Sequence, residues 1–286
     1  MPRNTPLRGD LRSTSSGIRA WISRPGESKG GRAVKIREDR WLSEIFGYPV
    51  FKLEIEVRSP DDCKPVPPIG DLIQDHENRH PDAMFYAKID ADRIDTIREL
   101  SGTGFYVVDV NVTFEMPTTR RGGRDKAANW VRHVIREIAP ENHEAVLRIA
   151  ATCFRYSRFH LDPLIPMTVA NRIKHDWILN YIKKQRGEQL WVALYDGQPA
   201  GFLAVLASDS GERRIRTIDL IGVDNAFQGR GFGVSLVAFF IDRYAGVCDY
   251  LQVGTQVANL PSMKLYQKFG FAIVRVQYVL HKHVHP

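Results

Sequence analysis

Residues Val223–Tyr244 read VDNAFQGRGFGVSLVAFFIDRY. An apolar run ends at Val223, and three glycines follow at alternate positions, Gly229, Gly231 and Gly233. A helical stripe of Val234, Val237, Ile241 and Tyr244 comes next. Glycines between a strand and a helix let backbone N–H groups approach an anion that also feels the positive end of the helix dipole. The stretch therefore predicts an anion loop, and its spacing says which kind. A P-loop requires GxxxxGK[ST], but no Lys-Ser or Lys-Thr follows these glycines. A dinucleotide fingerprint requires GxGxxG, yet counting from Gly229 or Gly231 the third glycine position holds Val234 or Leu236. Asp249, at the distance of a ribose-binding acid, precedes its strand instead of ending it. What remains is QxxGxG, from Gln228 to Gly233.

Working outward, strand Ile215–Val223 feeds the loop and carries Gly222 in its interior. Such a glycine marks either a bulge with close backbone approach or an ordinary core position. Upstream lie a helix from Glu141 to Phe154, the loop SRFHLDPLIP, an amphipathic helix Val169–Lys184, and strands Gln189–Tyr195 and Gly201–Ala207. This unit begins at Trp130. A polar, basic, Gly-containing stretch at 118–129 reads as a linker. Ahead of it, residues 41–117 alternate strand and helix patterns, from WLSEIFGYPVFKLEIEV through MFYAKI and ADRIDTIRELS to GFYVVDVNVTFEM. One echo links the halves: GFYVVDVNVTF from Gly104 matches GFAIVRVQYVL from Gly270. Helix–Gly–strand joints are common, so the match admits two readings, a commonplace joint or a duplicated domain whose first copy lost its glycine loop.

The net charge of +7 is misleading until it is located. Residues 1–40 hold ten Lys or Arg against four acids, so they carry +6 and the other 246 residues only +1. A Ser/Gly/Arg-rich leader poor in aromatics is expected to be disordered, and we assign it no function. The near-neutral body argues against nucleic-acid binding. No apolar run reaches the roughly 20 residues of a membrane span. Three scattered cysteines without a CxxC pair suggest neither a disulfide framework nor a zinc knuckle, and fit a reducing cytoplasm.

Strand, QxxGxG, helix, strand, then ANLPSMKLYQKFGF resembles the acyl-CoA site of the GCN5-related N-acetyltransferase (GNAT) superfamily over roughly residues 130–286. The resemblance implies an α/β fold with a mixed central sheet flanked by helices. Its co-substrate would be acetyl-CoA, whose pyrophosphate would sit on backbone N–H groups of Gln228, Gly229, Arg230, Gly231, Phe232 and Gly233. Pantetheine would pair with the backbone of Ile221, Gly222 and Val223 where two strands part, and Asn259 would hydrogen-bond it. Tyr266 matches the family's general acid, positioned to protonate the departing thiolate. Leu265 departs from the polar residue expected beside that tyrosine. Within the superfamily, SRFHLDP with Trp177, LQVGTQVANLPSMKLYQKFGF and WLSEIFGYPVFKLEI are similar to the TDP-fucosamine (4-amino-4,6-dideoxygalactose) acetyltransferase group, whose first domain is an incomplete acetyltransferase-like fold.

These resemblances imply acetyl transfer to a primary amine, of a nucleotide-linked amino sugar in surface-polysaccharide synthesis. The alternatives are a protein N-terminus or another small amine, or a non-catalytic acyl-CoA-binding module. His160 and Asp219 are the candidate bases, with Asp162 beside His160 in the same loop. The C-terminal HKHVHP places three His on one strand face without a carboxylate in its own stretch, so no metal is expected. The expected partners are the small-molecule amine and a second copy of the chain.

Overall fold

The computed structural model describes residues 32–57, 67–118, 130–210 and 213–284. Of the expected disordered leader, residues 1–31 lie outside this set, and so does most of the expected linker, residues 119–129. Regular structure starts ahead of Trp41. Strand β1 (Arg32–Glu38) pairs antiparallel with β2 (Val50–Val57), and Asp39 caps the intervening α1 (Arg40–Phe46), accepting from Leu42 N. Among the described residues, regular structure thus begins at Arg32, inside the expected leader of residues 1–40. Val34 and Ile36 alternate with charged residues, but the basic composition around them hid the strand.

The remaining elements are α2 (Ile69–Arg79), β3 (Met84–Asp90), α3 (Ile94–Gly102), β4 (Tyr106–Pro117), β5 (Val134–Glu137), α4 (His143–Thr152), α5 (Arg158–Leu161) and α6 (Met167–Ile182). Then come β6 (Gln189–Tyr195), β7 (Gln198–Ser210), β8 (Arg213–Val223), α7 (Phe232–Tyr244), β9 (Tyr250–Gln256), α8 (Leu260–Lys268) and β10 (Ala272–His283). All ten strands form one mixed sheet, in the order β1-β2-β3-β10-β4-β9-β8-β7-β6-β5. Only β2–β3 and β8–β9 are parallel.

The two strands of the internal echo, β4 and β10, have changed places. β4 lies beside β9, and β10 lies beside β3. They pair with each other around Asn111↔Gln277, and their register is symmetric: Val112↔Val276 mirrors Val110↔Tyr278, and the irregularity at Val274 mirrors one at Val108. The flanking pairs repeat as well. Val50–Leu53 run beside Met84–Ala87 in one half, and Ile215–Ile218 run beside Tyr250–Val253 in the other. Apart from α1, which has no counterpart between β7 and β8, the order β1-β2-α2-β3-α3-β4 repeats as β7-β8-α7-β9-α8-β10. Each half thus lends its last strand to the other. Neither half can complete its sheet alone.

Alternation along the strands assigns the helices to faces. On one face, α7 and α8 cover Phe114, Leu203, Leu251 and Val253, and α2 and α3 cover Phe85, Ala87 and Leu280. On the other, α4 and α6 cover Val192, Phe202, Ala204 and Leu220, while α1, α5 and α6 cover Met84 and Tyr86. Along the middle of that second face, β3, β10, β4 and β9 present Lys88, Gln277, His281, Asp109, Asn111 and Gln256. No helix among the described residues is long and apolar enough to cross a membrane.

Candidate active site

The parallel pairing of β8 and β9 stops at Ile218 and Val253, although β8 runs on to Val223 and β9 to Gln256. The two strands part there. Asp224 N donates to Ala200 O on β7 at 2.9 Å. Backbone groups alternate in direction along a strand, so Gly222 faces β7 as well, while Ile221 and Val223 present their N–H and C=O groups to the gap. The strand's irregularity falls at Asp219, where the register with β7 skips, and not at Gly222. The glycine has another cause: a Cβ there would meet the Phe202 ring at 2.6 Å and Cys153 Sγ at 2.7 Å.

The glycine loop follows. Asp224 Oδ1 accepts from Ala226 N at 2.8 Å and Gln228 Nε2 donates to Val223 O at 3.2 Å, which fixes the turn. Gln228 is thus a brace of the loop. Gly229 (φ 77°) and Gly231 (φ 85°) adopt left-handed backbone, which explains glycine at both positions. Gly231 is the N-cap of α7 and no side chain caps the helix, so its first N–H groups project from the end. Arg230 is exposed above the Phe227 ring, whereas the Phe232 side chain is buried and stacks on His133 at 3.8 Å, so only its backbone faces the loop.

Asn259 caps α8, its Oδ1 accepting from Ser262 N at 3.4 Å. Tyr266, one and a half turns along α8, packs between the rings of Phe114 and Phe271 and is 2% exposed. Burial raises its phenol pKa, opposed by a hydrogen bond with Ser262, so the group holds its proton.

The two expected bases are otherwise engaged. Asp219 Oδ2 accepts from Trp177 Nε1 (2.7 Å), Tyr181 OH (2.8 Å) and Arg186 Nε (2.7 Å), and Oδ1 accepts from Arg186 Nη2 (3.0 Å). Four donors bond the carboxylate, two of them from the Arg186 guanidinium, so it ties α6 to β8 and is committed to that ion pair. His160 is bonded at both ring nitrogens, to Ser157 Oγ (2.6 Å) and Asn171 Oδ1 (3.1 Å), and burial lowers its pKa. It braces its own loop.

Two groupings are not evident from the sequence, although Asp162 and the C-terminal histidines each stand out in it. His281 Nδ1 and His283 Nε2 reach Asp162 Oδ2 at 2.6 and 3.0 Å, and Tyr106 OH donates to Asp162 Oδ1 at 2.7 Å. The carboxylate that HKHVHP lacks comes from α5's end, 119 residues away. These three side chains could be grouped as metal ligands. Arg158 Nη1, however, lies 3.0 Å from His281 Nε2 and can only donate, so that nitrogen accepts and Nδ1 carries the proton toward Asp162. A metal at Nδ1 would have to break this arrangement. Burial, outweighing the bond to Asp162, pushes His281 down to about 4, so the imidazole is neutral. The second group is Asp109, 7% exposed, which bonds the Gln256 side chain at the gap's edge and is raised by burial to about 6. Apart from Asp162, their members sit at strand positions that alternate with core residues and read as solvent-facing until the strand order is known.

Residues 144–271 match the model of the Acetyltransferase (GNAT) family. This stretch resembles a GNAT domain. Among curated proteins, the chain is 27% identical over 143 residues to the spore coat polysaccharide biosynthesis protein SpsD of Bacillus subtilis, covering 50% of this chain and 48% of that one. It is 32% identical over 98 residues to human N-acetylaspartate synthetase, covering 33% of this chain and 31% of that one. The chain thus spans less than half the length of these two relatives. Among solved structures, a tandem GNAT protein from the clavulanic acid biosynthesis pathway superposes with a TM-score of 0.56 at 13% identity, covering 84% of this chain and 77% of that one. That coverage extends the likeness of fold beyond the matched stretch: the chain has a GNAT fold preceded by a smaller, degenerate GNAT-like half.

Proposed function

We propose that the chain is an acetyl-CoA-dependent N-acetyltransferase acting on a primary amine. The observation that carries this reading is the parting of β8 from β9 beside an uncapped helix N-terminus built on left-handed glycines. Pantetheine would lie in the gap against Ile221 and Val223, and its pyrophosphate at the start of α7. The amine nitrogen, once neutral, attacks the thioester carbon. The tetrahedral oxyanion accepts a hydrogen bond from a backbone N–H of the gap, the C–S bond breaks, and the thiolate takes a proton from Tyr266. The attacking nitrogen gives up its surplus proton, which restores the phenol through solvent. We assign acceptance of the ammonium proton to Asp109, because Asp219 and His160 are occupied and Asp109 reaches the gap's edge through Gln256.

A nucleotide-linked amino sugar, such as TDP-fucosamine, is the acceptor we favour, and the relative named for spore coat polysaccharide biosynthesis supports it. A small amino acid is the second reading, favoured by the likeness to N-acetylaspartate synthetase. The first half, which has no QxxGxG, completes the sheet and binds no coenzyme. Thiol release from acetyl-CoA, measured across amino sugars, their nucleotide derivatives and amino acids, tests the activity. Absence of amine-dependent release across the panel would leave only a coenzyme-binding module.

A further inference from the structure

Lys174, on α6, is 6% exposed, and among the described residues its ammonium faces only aromatic rings: Trp177 at 4.8 Å, Phe154 at 5.0 Å and Phe159 at 5.9 Å. Ring faces cannot replace the hydrogen bonds that a largely buried ammonium loses with its water, so the position favours an anion that can. Two more cations share the space. Arg158, from α5, lies over Tyr86 at 3.9 Å and Phe159 at 4.3 Å, and the exposed Lys88 stands on the same sheet face at β3, opposite Val279, which β10 places between it and Asp109. Arg158 reaches carboxylates only through other residues, Asp162 by way of His281 and Asp39 by way of Tyr86. Asp219, the acid nearest to Lys174 in electrostatic effect, is occupied by four donors. Cys153, also in the field of Lys174, is the residue whose sulfur fills the space beside Gly222. Phe154, the ring under the ammonium, packs on Phe202 of β7 at 6.3 Å, and Phe202 is the ring that meets Gly222, so the lysine lies on the face of the sheet beside the end of β8.

We propose that Lys174, with Lys88 and Arg158 around it, is an anion seat that holds a phosphate or carboxylate of the acceptor while its amine faces the thioester. This inference rests on the acetyltransferase reading and narrows it to amines that carry an acidic group. The electrostatics agree with the geometry: burial, and then Arg158, push the Lys174 ammonium down to about 8. An anion bound beside it would restore it. Because Lys88 comes from β3 and Arg158 is seated on His281 of β10, the degenerate half supplies part of the seat.

The test uses the full chain with coenzyme A saturating, so that the α7 terminus is already occupied, and inorganic phosphate as the probe. At pH 7 and constant ionic strength, the melting temperature of the parent should rise with phosphate. Lys174→Met, which removes a buried unpaired charge, should melt at least as high as the parent in chloride and show no phosphate response. In turnover, 4-amino-4,6-dideoxygalactose linked to TDP should be preferred over the free sugar. Lys174→Met or Lys88→Gln should raise KM for the linked form roughly ten- to a hundredfold, as expected for loss of one charge-assisted contact. KM for the free sugar should stay unchanged. Aspartate against its diamide distinguishes a carboxylate from a phosphate as the anion. Equal phosphate responses in parent and Lys174→Met would overturn the seat. If no amine is acetylated, the activity reading fails, and the phosphate response alone still decides the seat.

Discussion

Asp219→Asn separates a structural carboxylate from a catalytic base, and the structure sets the size of its effect. The substitution keeps the shape but removes the charge and turns one acceptor atom into an NH₂ group, which then confronts donors. Of the four hydrogen bonds Asp219 accepts, two come from Arg186 and one each from Trp177 and Tyr181. Charge-assisted bonds contribute roughly 1.5–3 kcal/mol each, although bonds sharing one carboxylate are not additive. The Arg186 side chain is 36% exposed, which screens its share. A total loss of about 3 kcal/mol follows, or roughly 5 °C in melting temperature for a chain of this size. Differential scanning calorimetry gives that shift, and thiol release assayed well below the melting point gives turnover. We expect kcat within about fivefold of the parent, against the 10²–10⁴-fold loss typical of a removed general base. A variant that melts like the parent but turns over a hundredfold slower would refute the structural assignment.

Gly233→Glu should abolish acetyl-CoA binding in calorimetry without loss of stability. Its added Cβ meets only Leu265 at 3.9 Å and its backbone is not left-handed, so the change is one of charge against the pyrophosphate; retained affinity would remove the loop from the site. Tyr266→Phe should lower kcat about 10²–10⁴-fold with acetyl-CoA affinity nearly unchanged, and parent-like turnover would dismiss the phenol as the acid. Asp109→Asn carries a pH signature. Its folded pKa of about 6 lies above the usual 3.8, so the carboxyl favours the folded state below about pH 4 and loses that contribution as pH rises through 6. The asparagine variant should therefore match the parent near pH 4 and exceed it at pH 8, by up to about 3 kcal/mol for a shift of two units. It should also lose turnover and the acidic limb of the pH–rate profile near 6. A stability difference that does not change between pH 4 and 8 would count against the buried-carboxylate reading.

Much of the second half was legible because its signals are local. QxxGxG, the run into Val223 and the stripe of α7 are short-range patterns, and the left-handed φ angles at Gly229 and Gly231 are what glycine in such a turn implies. Asn259 at the start of α8 has the same character, since a cap acts within three residues. What the tertiary structure decided involves partners far apart in the chain. The echo between Gly104 and Gly270 hinted at duplication, but no local pattern says that β4 and β10 trade places, because each fits either neighbour equally well by alternation alone. That exchange sets the polar middle of one sheet face, and with it the setting of Lys88, Asp109 and His281. The roles of the acids followed the same rule. Asp219 and His160 sit at positions suited to a base, yet a carboxylate or imidazole is free to act only if no donor claims it. For Asp219 the donors lie 33 to 42 residues upstream on α6 and in the turn after it. Local sequence determines which groups are present and how the backbone bends around them, whereas their chemistry depends on neighbours that only the folded sheet brings within hydrogen-bonding distance.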